Sequence, residues 1–298
     1  MINPRHPANT AETVRALISD QHPDLAGLAV GAEFVGADMV MYRLGDELAV
    51  RLPRSQNTVA SLEAEAYWLG QVSANWTFPF PRVIRRGEPG HGYPFPWSVI
   101  TWLPGTAAEE RPLDALAGGA MGAALAQVHV LAPADAPFNS EQSIDLVGRE
   151  PKFEHALRFL KNHPGPNGQR CDVRAVRAMW EEALAAPASD ELVWSHADLH
   201  VANLISRDGE FGGIVDWADM SGCDRAVDLG FLYGALPAEG VALVLAEYAR
   251  LTGAMTDALA ARARGIGLVM CLAGAGNGPG VIRDVNWRGL ETLGVVRS

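Results

Sequence analysis

The apolar pattern of this chain changes character once, near Pro104-Gly105. Upstream, short runs of β-branched and aromatic residues are separated by turn residues, and one helical segment interrupts them. Downstream, longer segments with helical spacing predominate. A short helix is predicted before Pro23, where Val14, Leu17 and Ile18 share one face. The candidate strands lie at three positions between residues 29 and 52, at 82–86 and at 97–103, and the helix between them lies at 58–72. The pattern therefore predicts two lobes, residues 1–103 and residues 104–298.

The two predicted lobes differ in secondary structure. The first should hold five antiparallel strands and one helix, whereas the second should be mostly helical. Predicted helices of the second lobe lie at 113–130, at 173–186 and, two or three in number, between residues 225 and 271. A length of 298 residues is sufficient for both lobes. We predict an α/β chain, more closely α+β, with the main sheet confined to the first lobe.

Composition and charge exclude several classes of protein. The net charge of −11 argues against nucleic acid as a partner, because phosphate backbones require clustered Lys and Arg, and it favours a cationic small molecule. Apolar residues make up 48% of the chain without a long uncharged run, and the first ten residues lack the apolar segment of a secretory signal. We therefore expect a cytoplasmic protein without a membrane partner, either a monomer or a homodimer. The three widely spaced cysteines are expected to be structural.

Polar residues occur at characteristic spacing between Val193 and Asp228. Asp198 and Asn203 are five residues apart, and Asp216 follows a short apolar segment that would deliver a second carboxylate close to Asn203. Phosphoryl transfer uses this arrangement: one Asp accepts the proton of the attacking hydroxyl, while the Asn and the second Asp hold magnesium. The spacing thus predicts a kinase-type catalytic loop.

Two segments also resemble a known family. H-A-D-L-H-V-A-N-L (196–204) and I-V-D-W (214–217) are similar to the H-G-D-L-x-x-x-N and I-D-W/F signatures of aminoglycoside phosphotransferases and related antibiotic kinases. Further matches occur in the family's order, at residues 36–38, at A-V-R-L-P-R (49–54), at Glu65 and at P-W-S-V-I-T-W-L-P-G (96–105). Together the resemblance covers roughly residues 30 to 235.

The resemblance implies a protein-kinase-like fold with the nucleotide in a cleft, ATP or GTP as phosphate donor, and Mg²⁺. It implies that Asp198 is the catalytic base, that Asn203 and Asp216 are the magnesium ligands, and that His196 orients the loop. For the nucleotide it implies the cation Arg51 paired with Glu65, the strand backbone around Ile100 and Trp102 against the purine, and the turn containing Gly36 and Asp38 over the phosphates.

The chain departs from kinase patterns at two places. Kinases usually have Lys where this chain has Arg51, and its two lysines, Lys152 and Lys161, both lie in the second lobe. Arg remains charged and binds phosphate in a bidentate manner, so the role is retained, with Arg54 as the alternative. The short segment between Asp216 and Asp228 leaves little room for an activation loop, which argues against a protein kinase.

Two readings from other classes use the same residues. If His196, Asp198 and His200 alternated on a strand, all three would face one side and could bind zinc, as in a metallohydrolase. That reading leaves Asn203 and Asp216 unexplained. A nucleotide-binding protein without catalysis is the second alternative, and the presence of a base together with both metal ligands disfavours it.

The acceptor is expected to be an antibiotic, first of all an aminoglycoside. Such polycations would suit an acidic pocket, to which four carboxylates could contribute: Glu141, Asp145, Glu150 and Glu154. A macrolide is the main alternative, because the helices after Pro237 are apolar and the A-V-R-L-P-R strand is similar to that of macrolide phosphotransferases. Choline-type and amino-alcohol kinases share the same motifs.

Other polar residues near the motifs are given structural roles. Asp219, Asp224 and Asp228 are expected to cap helices or fix loops rather than bind metal. His129, at the end of an apolar helix, is expected to pack or to orient a loop.

Overall fold

The computed structural model describes residues 8–36 and 38–297. The chain forms two compact units: one extends to Val72 and resumes at Pro79–Pro104, and the other comprises Ser73–Phe78 and Gly105–Ser298. The predicted single boundary after Leu103 differs from this division in two respects: Pro104 belongs to the first unit, and residues 73–78 join the second. There the Trp76 indole donates to the Gln127 carbonyl over 3.1 Å, and its ring lies 4.7 Å from that of Trp217.

The first unit contains a five-stranded antiparallel sheet with the strand order β1-β2-β3-β5-β4. Its strands are β1 (Val30–Val35), β2 (Met39–Leu44), β3 (Leu48–Pro53), β4 (Val83–Gly87) and β5 (Trp97–Thr101). Two helices accompany the sheet, α1 (Ala11–Gln21) and α2 (Gln56–Val72). The prediction of five antiparallel strands and a helix is confirmed, and α1 is the short helix predicted before Pro23.

Alternation along β2 explains how this sheet is held. Val40, Tyr42 and Leu44 are buried, while the residues between them are half-buried. This period of two directs one face of the strand into a core. The core also receives Val14 and Leu17 from α1, so the helix covers that face of the sheet.

The second unit is mostly helical, as predicted. Its described helices are α3 (Ala117–Val128), α4 (Glu150–Leu160), α5 (Val173–Ala185), α6 (Ala226–Ala235), α7 (Ala238–Thr252), α8 (Asp257–Ala275) and α9 (Val281–Thr292). Short strands connect them: β6 (Thr106–Ala107), β7 (Arg170–Cys171), β8 (Val193–Ser195), β9 (Leu204–Arg207), β10 (Glu210–Ile214), β11 (Ser221–Cys223) and β12 (Val296–Arg297). They pair as β10-β9-β6, β11-β8 and β12-β7.

Helix α8 is the central element of the second unit. It packs against α4, α5, α6 and α9. By length and composition it would suffice to cross a membrane, but 67% of its apolar window is buried inside the protein, as in the core helix of a globular domain. Small residues permit the close contacts: a Cβ at Gly230 of α6 would lie 2.6 Å from the Ile266 side chain.

Helices α6, α7 and α8 end and begin where the sequence predicted. Pro237 precedes α7, and Gly253 follows it with a left-handed φ of 64°, a conformation that glycine adopts without steric cost. Helix α4, in a segment left unassigned from sequence, and helix α9 were not predicted. Helix α4 has a clear apolar face at Phe153, Leu157 and Leu160, and α9 begins after glycines and a proline at residues 276–280.

Candidate active site

A loop between β8 and β9 carries the predicted catalytic aspartate. Strand β8 pairs with β11, and β9 pairs with β10, so both ends of the loop are anchored in small antiparallel sheets. The loop passes through Ala197 at φ 68°, a left-handed conformation that is uncommon for a residue with a Cβ. It closes with a single 3-10 turn at Val201–Asn203. Asp198 therefore lies on a short, fixed segment, with its side chain 29% exposed.

The side chain of Asp228, on α6, anchors the backbone of the loop between β8 and β9. Its carboxylate is fully buried and accepts from the backbone N–H groups of His196 and Ala197, each over 2.8 Å. It also lies 3.2 Å from His129 Nε2, and His129 Nδ1 lies 2.8 Å from the Tyr248 hydroxyl. Burial raises the pKa of Asp228, but the hydrogen bond from His129 and its charge outweigh burial, so the pKa lies below that of an ordinary carboxyl.

These contacts assign roles that the sequence only partly predicted. His129 orients the loop through Asp228, which is one of the two roles expected for it. Asp228 fixes the loop as expected, although it bonds to the backbone of residues 31 and 32 positions upstream rather than capping its own helix. No spacing in the sequence connects Asp228 to residues so far from it.

His196 is buried and both of its ring nitrogens are engaged. Nε2 lies 2.9 Å from the Val215 carbonyl, and Nδ1 accepts from the Asp198 N–H over 3.3 Å. Since a carbonyl can only accept, Nε2 carries the hydrogen. The ring also packs edge-on against Trp217 at 4.7 Å. His196 thus joins the loop to the segment that leads to Asp216.

One carboxylate oxygen of Asp198 is held by neighbours. His200 Nε2 lies 3.3 Å from Oδ2, and Asn203 Nδ2 lies 3.4 Å from the same oxygen. Among the described residues, none donates a hydrogen bond to Oδ1. Burial raises the pKa of Asp198, yet the hydrogen bond from His200 and the nearby imidazoles reverse the shift, so its pKa lies below the ordinary value. Asp198 is an ionised acceptor with one oxygen available to a ligand.

His200 is a site residue whose role the sequence did not reveal, since it was considered only as a zinc ligand. Its Nδ1 accepts from the Ala202 N–H over 3.2 Å. Nε2 therefore bears a hydrogen when the ring is neutral, and it does so when the ring is charged as well. Burial lowers the pKa of His200, and the carboxylate of Asp198 more than compensates, so the pKa is raised. In either state His200 donates to Asp198.

Asn203 and Asp216 are brought together by the β9-β10 pairing. Leu204 pairs with Ile214, and the Val215 N–H donates to the Asn203 carbonyl over 2.9 Å. The Asn203 amide nitrogen donates to the Asp198 carbonyl over 2.8 Å, which directs the amide oxygen away from that contact. Asp216 adopts φ 61°, a second left-handed residue in this region. Amide and carboxylate oxygens are hard donors of the kind that Mg²⁺ takes in small number beside phosphates and water, so these residues fit the ion.

The carboxylates of this region repel one another. The pKa of Asp219 is raised, first by burial and then by the charges of Asp198 and Asp216. Asp219 is fixed by the Asn139 side chain, whose amide donates to it over 2.9 Å. A divalent cation bound among these groups would relieve the repulsion.

The geometry does not support the zinc reading. Asp198 and His200 lie beyond the end of β8, so the three residues do not alternate along a strand. Both nitrogens of His196 are engaged by backbone groups. Within residues 8–36 and 38–297, no three His, Cys, Asp or Glu side chains form a group that could hold a metal ion.

In the first unit, Arg51 and Glu65 form a buried bidentate ion pair. Arg51 Nη1 and Nη2 donate to the two carboxylate oxygens of Glu65 over 2.8 and 2.9 Å. Arg51 stands on β3 and Glu65 on α2, as the sequence order suggested. The pair fixes the direction of the Arg51 guanidinium.

Arg54 donates hydrogen bonds to the turn between β1 and β2. Its side chain donates to the Gly36 carbonyl over 2.5 Å, and its backbone N–H donates to the Asp38 carbonyl over 2.9 Å. Gly36 in turn donates to the carbonyl of Met39 over 2.9 Å. The turn predicted to cover phosphates is therefore held by the residue that was the alternative to Arg51.

The predicted purine-binding strand is β5 and the residues after it. Ile100 pairs with Ala49 of β3 and with Val83 of β4, so it lies between two neighbouring strands. The Trp102 N–H donates to the Glu47 carbonyl over 2.7 Å. The Arg43 guanidinium lies over the Trp102 ring, 4.5 Å from the ring centre.

Two cavities within the second unit share Asp198. One, of about 510 Å³, is polar and includes Glu141 and Asp219; we call it the polar cavity. The other, of about 420 Å³, is lined mainly by apolar residues of α6, α8 and α9; we call it the apolar cavity, and its side chains include Phe231, Met270, Ala273, Ile282 and Val285. Asp198 is the one described residue that lines both.

The four acidic residues proposed for an aminoglycoside pocket do not line one common cavity. Glu141 lines the polar cavity, but Asp145 lines a different cavity of about 180 Å³. Glu154 forms an exposed ion pair with Arg177, 2.7 Å long. Glu150 begins α4 and lines none of the three cavities. Of the four acidic residues, Glu141 is the one that lines one of these cavities together with Asp198.

A family model described as the phosphotransferase enzyme family matches residues 35–265. This chain belongs to the phosphotransferase enzyme family. Among curated proteins, this phosphotransferase family member is 28% identical over 152 residues to the aminoglycoside 3'-phosphotransferases of Salmonella typhimurium and Escherichia coli, a match that covers 47% of the chain. The chain spans about half the length of these relatives, 52% in each case.

Solved structures establish the fold of the family member. The GDP complex of aminoglycoside 2'-phosphotransferase-IIIa superposes with a TM-score of 0.62 and 15% identity, covering 96% of this chain and 98% of the other. The macrolide 2'-phosphotransferase MphH from Brachybacterium faecium superposes with a TM-score of 0.58 and 18% identity, covering 90% and 99%. The predicted kinase-like fold, with an antiparallel sheet followed by a mostly helical part, is confirmed.

Proposed function

We propose that this phosphotransferase family member is a small-molecule kinase that moves the γ-phosphate of ATP or GTP to a hydroxyl of an antibiotic. The observation that carries the proposal is the hydrogen bonding of Asp198. One of its oxygens is held by His200 and Asn203, and its pKa is lowered by neighbouring imidazoles against the effect of burial. An ionised carboxylate with one oxygen available is the form that a base for a hydroxyl requires.

In the proposed reaction the acceptor hydroxyl donates its hydrogen bond to Asp198 Oδ1. The hydroxyl oxygen forms a bond to the γ-phosphorus as the bond from that phosphorus to the β–γ bridging oxygen breaks, and the hydroxyl proton passes to Asp198. The leaving nucleoside diphosphate takes the electron pair. Since Asp228 anchors the backbone on the N-terminal side of Asp198, the protein contributes mainly position.

Asn203 and Asp216 would hold Mg²⁺, which when bound neutralises charge on the phosphate oxygens. The Arg51 guanidinium, aligned by Glu65, would contact the α- and β-phosphates. The turn that contains Gly36 and Asp38 would cover the phosphates, while the Gly36 N–H itself bonds to the Met39 carbonyl.

The similar proteins suggest antibiotics as the general class of acceptor. The relatives and neighbours named above are aminoglycoside and macrolide phosphotransferases, so antibiotics with free hydroxyls are the first compounds to test. The cytoplasm is the proposed location, since both nucleotide donors are abundant there. Cationic acceptors are favoured in general by the net charge of −11.

The test is transfer of phosphate from ATP and from GTP, with Mg²⁺, to a panel of aminoglycosides, macrolides and amino alcohols, read as the mass increase of the acceptor. A phosphorylated product that disappears in Asp198→Asn supports the proposal. Nucleotide turnover that is unchanged in Asp198→Asn, or absence of both nucleotide binding and transfer, contradicts it.

A further inference from the structure

The apolar cavity contains the proposed base. Asp198 and His200 line it together with side chains from three helices. A compound that fills the cavity can therefore present a hydroxyl to Asp198 without entering any other space. Its volume, about 420 Å³, lies within the range of roughly 300–1,000 Å³ that is usual for small-molecule sites.

The wall that α6, α8 and α9 form carries no charged side chain among the residues that line the cavity. Phe231 of α6, Met270 and Ala273 of α8, and Ile282 and Val285 of α9 supply apolar surface. The other polar members of the wall are the neutral amides of Asn277 and Asn286. Among the described residues that line the cavity, Asp198 is the one carboxylate, and it is committed to the transferred proton.

A positively charged side chain lies beside this wall. The ammonium of Lys152, on α4, lies 4.0 Å from the Met270 sulfur. An acceptor with several ammonium groups would bring them into a cavity with no carboxylate to replace their lost hydration, and beside a lysine. An apolar face would instead bury its surface against the five side chains named above.

We infer that the acceptor is a hydroxyl compound with a broad apolar face, which packs in the apolar cavity, rather than a polycation. The inference rests on the proposed function and names its acceptor class. A single amine beside the reacting hydroxyl is compatible with it, because the polar cavity that also reaches Asp198 contains Glu141 and Asp219.

The test compares erythromycin, a macrolide with a large apolar ring and one amine, with the polycation kanamycin. Wild-type protein should show kcat/KM at least about tenfold higher for erythromycin, the effect of roughly one unfavourable contact. Ala273→Leu fills the cavity and should raise KM and Kd for erythromycin about tenfold while nucleotide affinity is unchanged. The matched control is Ala260→Leu, on the same helix but outside the cavity, which should leave both constants unchanged.

A second variant protects the test against misfolding of Ala273→Leu. Met270→Glu places a carboxylate in the half-buried wall near Lys152 and should shift the ratio of kcat/KM toward kanamycin by about tenfold. Preference of the wild type for kanamycin, or equal effects of Ala273→Leu and Ala260→Leu, overturns the inference and leaves the proposed function standing. Calorimetric binding of erythromycin that Ala273→Leu abolishes, without transfer to any acceptor, supports the site and contradicts the proposed function. Binding of neither compound overturns the inference.

Discussion

The catalytic loop and the apolar cavity meet at Asp198 but are built in different ways. The loop is a short segment held by buried polar contacts, chiefly the two backbone bonds to Asp228. The cavity is assembled from three helices, α6, α8 and α9, and apolar packing positions them. Under the proposed function we expect the loop to govern the rate of phosphate transfer and the cavity to govern the choice of acceptor. Substitutions in the two regions should have different kinetic signatures.

The largest expected effect is that of Asp198→Asn. Loss of the base should lower kcat by at least about a hundredfold, while nucleotide affinity stays near that of the wild type. Single-turnover transfer and nucleotide titration measure the two quantities separately. Asp208→Asn is the matched control, because Asp208 is exposed in the β9-β10 turn and should be silent. A variant at position 198 with normal kcat would remove this residue from the mechanism.

Asp228→Asn tests the polar support of the loop. Replacing the buried carboxylate leaves the His129 contact and one loop N–H poorly paired, so the free energy of unfolding should fall by about 3 kcal/mol. Urea unfolding gives the value. Asp257→Asn, at the exposed start of α8, should change it by less than about 0.5 kcal/mol. Equal stability of Asp228→Asn and wild type would mean that packing alone holds the loop.

The same carboxylate predicts a dependence of stability on pH. Burial raises the pKa of Asp228, but the opposing effects, of which His129 contributes the first, are larger in sum. In the folded protein the pKa therefore lies below the unfolded value of about 3.9. The unfolded chain then takes up the proton first, and the stabilisation is complete above about pH 4 and is lost as the pH falls through the lower folded pKa. Urea midpoints between pH 3 and pH 7 should therefore decline less steeply at low pH for Asp228→Asn than for wild type. Parallel curves would contradict this.

The contrast between the regions also explains what the sequence could predict. The loop motif is local: Asp198, Asn203 and Asp216 lie within one stretch, and the β9-β10 hairpin suffices to bring the last two together. The antiparallel sheet was likewise predictable, because alternation along β2 reports its buried face directly. Local patterns thus carried most of the fold and the centre of the site.

Contacts between distant elements were not predictable. No sequence pattern predicts that Asp228 bonds to the loop backbone. Glu150 and Glu154 are acidic, as a pocket for a cation would require, but neither lines a cavity with Asp198. Their helix α4 turns its apolar face inward at Phe153 and Leu157, which directs the acids outward. The apolar cavity depends on α9, which was not predicted at all. Acceptor specificity therefore could not be read from the motifs.

His200→Ala examines the contact that joins the two regions, since His200 lines the apolar cavity and donates to Asp198. Loss of one hydrogen bond to the base should lower kcat about tenfold. His200→Gln can restore a donor and should recover part of the loss, which a purely structural role of the ring would not predict. The measurement is kcat with saturating nucleotide and acceptor. Identical values for Ala and Gln variants would contradict positioning by hydrogen bond.

The smallest expected effect concerns Lys152, the charge beside the cavity wall. Partial desolvation of its ammonium lowers the pKa of Lys152, and the positive charge of Arg149 adds to this effect, against the opposing charges of Glu141 and Asp198. The side chain is exposed, so solvent screens its influence, and Lys152→Gln should raise kcat/KM for kanamycin by only about threefold. The value for erythromycin should stay unchanged, because its apolar face does not sense the charge. Lys161→Gln, on the same segment and the one other lysine of the chain, is the control. A gain that vanishes at high salt would identify electrostatic repulsion as its cause, whereas a gain of equal size for both compounds would mean that Lys152 acts on the base and not on the acceptor.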